Sequence, residues 1–176
     1  MNDLTEEQVR ASFDQKQCLE HEMLSECGIT EYIPMFSLNI RVLSFLRRYG
    51  RPYAPSTLPK GYRRRKMGYC FYNAYSLMLD STLPDSKRPP LTYVEGLSVS
   101  ENGTGGIHAW CVDADGRVID PTWPNAQAYF GIPFQVQYVA RASLERNSVY
   151  SVLNDYDRGY PLMKELSEQP HLWLAA

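Results

Sequence analysis

Ile107-His108-Ala109-Trp110-Cys111-Val112-Asp113-Ala114-Asp115-Gly116-Arg117-Val118-Ile119-Asp120-Pro121-Thr122 reads as a β-hairpin. Apolar residues precede and follow Asp113-Ala114-Asp115-Gly116, and Gly116 suits the left-handed position of a three-residue loop with a bulge. With Ala114 to Gly116 as that loop, Asp113 faces Arg117, Trp110 faces Asp120 and His108 faces Thr122. All four of His108, Trp110, Asp120 and Thr122 then share one face. His108 and Asp120 become diagonal neighbours at roughly 7–8 Å between backbones, within side-chain reach. A loop one residue shorter or longer sends them to opposite faces.

Outward from the hairpin, Leu91 to Ser100 is β-rich, Gly103 to Gly106 reads as a flexible loop beside His108, and Phe134 to Ala142 alternates like a further strand. The N-terminal half is helical in character. Thr5-Glu6-Glu7-Gln8 has capping-box spacing. Helix-favouring residues run on to about Glu26, with Val9, Phe13, Leu19, Met23 and Leu24 as an apolar stripe and Gly28 as the stop. A second helix is expected over Met35 to Tyr49 and a third over Cys70 to Leu79. Between them lies a turn-rich loop, Gly50 to Gly68, and Ser81 to Pro90 is a second loop. Ser148 to Tyr156 and Leu162 to Glu168 read as short terminal helices. Helices first and an antiparallel sheet of about four strands later make an α+β fold, and 176 residues make one domain.

The chemistry concentrates at three places. Cys70 opens an apolar helix, where first-turn amides favour a thiolate. Such a nucleophile needs a base, and the base needs an orienting partner. Of the three histidines, His21 lies mid-helix and His171 follows Pro170 near the C-terminus. His108, with Gly105 and Gly106 before it, is the candidate base, and Asp120 the acid that orients it. Asn73 and Trp110 are candidates for support, and Tyr69, Trp123, Arg65 and Lys66 for substrate contact. Arg63-Arg64-Arg65-Lys66 reads equally as a solvated loop and as a cationic patch that attracts an acidic substrate. Cys111 is expected to pack away from His108, because strand alternation turns it to the other face. Cys18, His21 and Cys27 sit close in the chain but lack an obvious fourth ligand, so no metal and no cofactor is expected.

Gly68-Tyr69-Cys70-Phe71-Tyr72-Asn73-Ala74, Tyr93-Val94-Glu95-Gly96, and above all His108-Ala109-Trp110 with Asp120-Pro121-Thr122 resemble the transglutaminase-like superfamily of cysteine enzymes. The resemblance covers Gly68 to Thr122, about a third of the chain. It implies a papain/transglutaminase-like core with a cysteine at a helix N-terminus against a sheet. It further implies Cys70 as nucleophile, His108 as general base and acid, and Asp120 as the residue that orients the imidazole. The implied chemistry is acyl transfer through a thioester, the expected form a thiol hydrolase: a protease or amidase acting on a protein or peptide. That superfamily also contains deamidases and amine-accepting transglutaminases, and a non-catalytic binding or regulatory module on the same fold is the rival class. The Cys70 amide is the expected first oxyanion donor. The upstream glutamine of papain-like enzymes has no counterpart, since no glutamine lies between Gln17 and Gln127.

Composition bounds the rest. Eighteen basic residues against 20 acidic, a net charge of −2, weigh against nucleic acid as the partner. The longest uncharged run, Pro121 to Ala140, is too rich in proline, asparagine and glutamine to span a membrane. Met1 to Arg10 is acidic and polar, unlike a secretory leader, so four reduced cysteines and a cytoplasmic location are expected.

Overall fold

The computed structural model describes residues 5–35 and 38–176. The side chain of Val9, in the expected stripe, lies outside that description, as do residues 1–4 of the leader reading and Phe36 and Ser37 of the expected second helix. Helix α1 (Glu6–Ser25) starts at its capping box: Gln8 donates its amide to Thr5 Oγ1, and the Thr5 amide donates to Gln8 Oε1. The chain leaves it through Gly28, whose φ of +81° is a left-handed value. Met23 and Leu24 enter the core, whereas Phe13 stays exposed.

Strand β1 (Ile33–Pro34) takes the residues just before the expected second helix. The Ile33 and Met35 amides donate to the Gly103 and Gly105 carbonyls. Helix α2 (Ile40–Tyr49) therefore starts later than Met35, where the Asn39 side chain accepts from the Arg41 amide. Val42, Leu43, Phe45 and Leu46 form its buried face. Strand β2 (Arg51–Tyr53) interrupts the long loop, and helix α3 runs from Cys70 to Thr82, past the expected Leu79.

The sheet continues with β3 (Thr92–Val99), β4 (Thr104–Val112), β5 (Val118–Ile119) and β6 (Ala128–Phe134). Its order is β1-β4-β3-β6-β2, with β5 also on β4; β1 runs parallel to β4 and every other pairing is antiparallel. Six strands in a mixed sheet thus replace the four antiparallel strands expected. Three strands are new, β1, β2 and the interior β6, and the strand expected from Phe134 is lost; β1 and β2 are too short to show alternation. The expected flexible loop at Gly103 to Gly106 is also strand beyond Gly103, because Gly105 lies under the Tyr32 ring, where a Cβ would come within 2.6 Å of Cδ2.

Two expectations at the C-terminal end change type. Phe134 is the last residue of β6, and helix α4 (Val136–Arg146) follows instead of a strand. Gln135 makes the switch: its amide donates to the Trp173 carbonyl, and its Nε2 to the His171 and Leu174 carbonyls. Pro133 is harmless within β6. Its carbonyl accepts from Ala175 on the side away from β3, so its nitrogen faces that side too and forfeits no ladder bond. Ser148 to Tyr156 is not helical, since the Val152 and Leu153 amides donate to the Glu95 carboxylate rather than to helical carbonyls. The last predicted helix is trimmed to α5 (Pro161–Glu165).

Alternation splits the sheet into two faces. Tyr93, Leu97, Ala109, Cys111, Phe130 and Ile132 join α1, α2 and α3 in the main core. Val94, Trp110, Val112, Val118 and Tyr129 form a smaller cluster on the opposite face. Glycines make room there: Gly96 pairs with Gly131, and a Cβ on Gly131 would lie 2.5 Å from Trp110 Cη2. Gly131→Ala is expected to push Trp110 out of its place and cost about 1–3 kcal/mol, as overpacking in cores does. Urea denaturation compared with the wild-type chain measures it.

Candidate active site

The turn at Asp113 sets the register on which the site depends. The Asp113 amide donates to the Arg117 carbonyl, the Gly116 amide donates to the Asp113 carbonyl, and Gly116 has φ +75°. Asp113 Oδ1 accepts from the Asp115 and Arg117 amides, which fixes the loop from inside. Cys111 then pairs with Ile119 and Val112 with Val118, so the bulged three-residue loop read from the sequence is the one formed.

On that register His108 Nε2 lies 2.7 Å from Asp120 Oδ2, and both residues are almost fully buried, at 1% and 2% exposure. Asp120 has every acceptor site engaged. Tyr129 donates its hydroxyl to Oδ2 at 2.9 Å, and the Thr122 and Trp123 amides donate to Oδ1 at 2.8 and 3.0 Å. Burial works to raise the Asp120 pKa, but the His108 charge and hydrogen bond and those two amides leave it below the usual carboxylate value. For His108 burial pulls downward, and is outweighed by the charge and hydrogen bond of Asp120 and then by those of Cys70. The imidazole is raised to about 10. Trp123 stacks on the imidazole at 4.2 Å and 9°, and Trp110 lies nearly parallel to it at 6.3 Å.

Cys70 comes to the same cleft as His108 from the other face. Helix α3 packs on the main-core side, where Cys111 Sγ donates to the Ala74 carbonyl, as its expected turn away from His108 requires. On the outer edge of β4, β1 pairs only with Thr104 and Gly105, and β5 only with Cys111 and Val112. Between them no strand among the described residues pairs with the edge. Ile107 and His108 point to opposite faces, yet both line one cleft of about 610 Å³ with Cys70, so the cleft opens at this gap. With Nε2 committed to Asp120, Nδ1 is the ring nitrogen left for the thiol. Cys70 is partly exposed, and no side chain caps the first turn of α3.

Asn73 ties these parts together. Its Nδ2 donates to the Lys66 carbonyl at 2.8 Å and to Thr122 Oγ1 at 3.0 Å. Both amide hydrogens are spent, so Asn73 positions the helix against Asp120-Pro121-Thr122 and has none left for a substrate. Arg65 is equally structural: its amide donates to the Pro121 carbonyl, Nη1 to the Asn73 carbonyl, and Nη2 pairs with Asp80 at 3.5 Å. It does not line the Cys70 cleft. Lys66 lies over the Tyr69 ring at 4.5 Å, and Tyr69 and Trp123 line the cleft, whereas Trp110 is fully buried and supports from behind.

Sequence reasoning missed Tyr129 and Glu95. Tyr129 had no signal beyond its place in an aromatic strand. Glu95 stands in the quoted Tyr93-Val94-Glu95-Gly96 and is fully buried on the main-core side. Tyr93 and Ser151 donate their hydroxyls to it, each at 2.6 Å, and the Val152 and Leu153 amides add two more bonds. These bonds hold the segment from which Val149, Tyr150 and Asn154 line the cleft.

The larger cavity between α1 and residues 30–34, about 740 Å³, holds no comparable arrangement. Cys18 there donates to Glu22, and Cys27 donates to the Met23 and Tyr129 carbonyls. No group of three metal-ligating side chains occurs among the described residues, and no helix among them is long and apolar enough to cross a membrane. Comparison with protein-family models, with curated proteins and with solved structures finds no match for this chain.

Two measurements follow from this geometry. Because the His108 pKa is raised on folding, its contribution to stability is complete below about pH 6.5 and is lost as pH climbs through about 10. Unfolding free energy should therefore fall between pH 7 and 10 more steeply in the wild-type chain than in His108→Gln, by at most about 1.4 kcal/mol per pH unit. Glu95→Ala should cost about 3–5 kcal/mol by leaving buried donors without an acceptor. Proteolysis should then cut first in the freed 148–156 segment.

Proposed function

We propose that this chain is a cysteine-dependent acyl-transfer enzyme, working as a hydrolase on peptide or isopeptide-type amide bonds. The observation that carries the proposal is the buried His108–Asp120 pair, 2.7 Å apart, with Cys70 and that imidazole lining one open cleft. An ionised, fully hydrogen-bonded carboxylate fixes the ring orientation and leaves the second nitrogen to exchange a proton with sulfur.

The sequence of steps is then as follows. The thiol proton passes to His108 Nδ1, and the sulfur attacks the amide carbonyl carbon. The oxygen takes up negative charge beside the Cys70 amide at the uncapped helix start. The C–N bond breaks as His108 returns the proton to the departing amine, leaving a thioester on Cys70. Water gives a proton to His108 and attacks that thioester. The C–S bond breaks, releasing a carboxylic acid and restoring the thiol. An amine in place of water makes the same chain a transglutaminase. Deamidation is the hydrolytic route with ammonia as the first leaving group. The substrate is a protein or peptide, with no cofactor in any step. All four cysteines are free thiols, in keeping with work in a reducing cytoplasm.

Alkylation with iodoacetamide, followed by peptide mapping, tests the proposal. At about pH 6 an ordinary thiol is less than about 1% thiolate. Cys70 should nevertheless react at least about ten times faster in the wild-type chain than in His108→Ala, with Asp120→Ala falling between. Equal, slow rates in all three chains would replace the enzyme by a non-catalytic binding module.

A further inference from the structure

Among the described residues, the walls of the Cys70 cleft carry no aspartate, glutamate, lysine or arginine, and His108 is their one titratable base. Its rim is unusually apolar for protein surface: Met35, Tyr69, Tyr72 and Tyr150 are each more than two-fifths exposed. Exposed apolar side chains grouped around a cleft mark a contact surface rather than ordinary scatter. Phe71 and Tyr150 form one wall, with ring centroids 5.4 Å apart.

A second cleft of about 340 Å³ adjoins the first, and Met35, Thr122 and Trp123 line both. Among the described lining residues, carboxylates, lysines and arginines appear only there. Arg65 in that lining is committed to Asp80 and to the Asn73 carbonyl, and Glu101 accepts from Asn125 at 2.9 Å. Arg64 lines the same cleft, is exposed, and makes no hydrogen bond or ion pair with any described residue. Glu101 keeps its negative charge beside the neutral Asn125 amide. Arg64 is the cation of this lining without an anionic partner among the described residues, so it complements an incoming anion.

We infer that the site takes a polypeptide segment with uncharged, apolar or aromatic residues beside the reacting bond. The segment then passes Trp123 and presents an acidic side chain to Arg64. Two joined clefts of different character suit a linear chain that changes character along its length. This inference rests on Cys70 being the reactive centre and adds a substrate class to it. It also gives the basic run a divided role: Arg65 braces the fold and Arg64 selects.

Protection of Cys70 from iodoacetamide tests it. Acetylated and amidated octapeptides with a Phe-Leu centre carry aspartate or lysine at the first or the last position. Each variant's alkylation rate without peptide serves as its own reference. In the wild-type chain one aspartate peptide should protect at about 1.5- to five-fold lower concentration than its lysine twin, the range for an exposed ion pair. Arg64→Ala should bring the twins together, and Arg64→Glu should invert their order. Absence of protection by any peptide, equal protection by the twins, or an aspartate preference that survives in Arg64→Glu overturns the inference. The peptide-free comparison with His108→Ala judges the enzyme proposal separately, so the two can fail independently.

Discussion

Asp113 holds its own turn together with four bonds: its backbone amide donates to the Arg117 carbonyl, its carbonyl accepts from the Gly116 amide, and its carboxylate accepts from the Asp115 and Arg117 amides. Much depends on that small knot. A β-strand has a side-chain period of two, so adding or removing one loop residue would turn Asp120 through the sheet and away from His108. The register holds Asp120 where Tyr129 reaches it from β6, and where the Thr122 and Trp123 amides fold back onto its other oxygen. Local turn chemistry thereby becomes the position of a buried charge.

A second constraint is that the Cys70 thiol and the His108 imidazole belong to opposite faces. Helix α3 must cover the main core, since Ala74, Leu77 and Met78 are buried in it. His108 must face the other way to meet Asp120. Only the edge of a sheet lets both conditions hold, and among the described residues no strand partner covers β4 between Gly105 and Cys111. Asn73 and Arg65 fasten the helix start to the segment after β5 across this gap, which keeps sulfur and ring together despite their separate layers.

What was legible in the sequence was what local rules decide. The Thr5 capping box, the Gly28 stop, the bulged turn at Gly116 and the shared face of His108 and Asp120 all follow from spacing and stereochemistry. What escaped was set by partners remote in the chain. Ser148 to Tyr156 has helical composition, yet Glu95, more than fifty positions upstream, takes its amides. Val136 to Ala142 alternates well enough for a strand, but the C-terminal segment captures Gln135 and the helix begins there. Short edge strands escaped as well, because two or three residues carry no period. Arg65 looked like a substrate contact because charge near a nucleophile suggests one, whereas its bonds to Asn73 and Asp80 show a brace.

Burying an ion pair is expensive unless geometry and hydrogen bonding compensate. Here Asp120 receives four donors, and the imidazole lies against Trp123 with Trp110 nearly parallel beyond hydrogen-bond range. An aromatic face attracts a cation, most strongly where water is excluded, so the stacked ring favours the protonated imidazole while shielding it from solvent. Trp123 is also the side chain shared by the two clefts. A change at Trp123 therefore alters the lining of both clefts and the cover of the His108 imidazole at once.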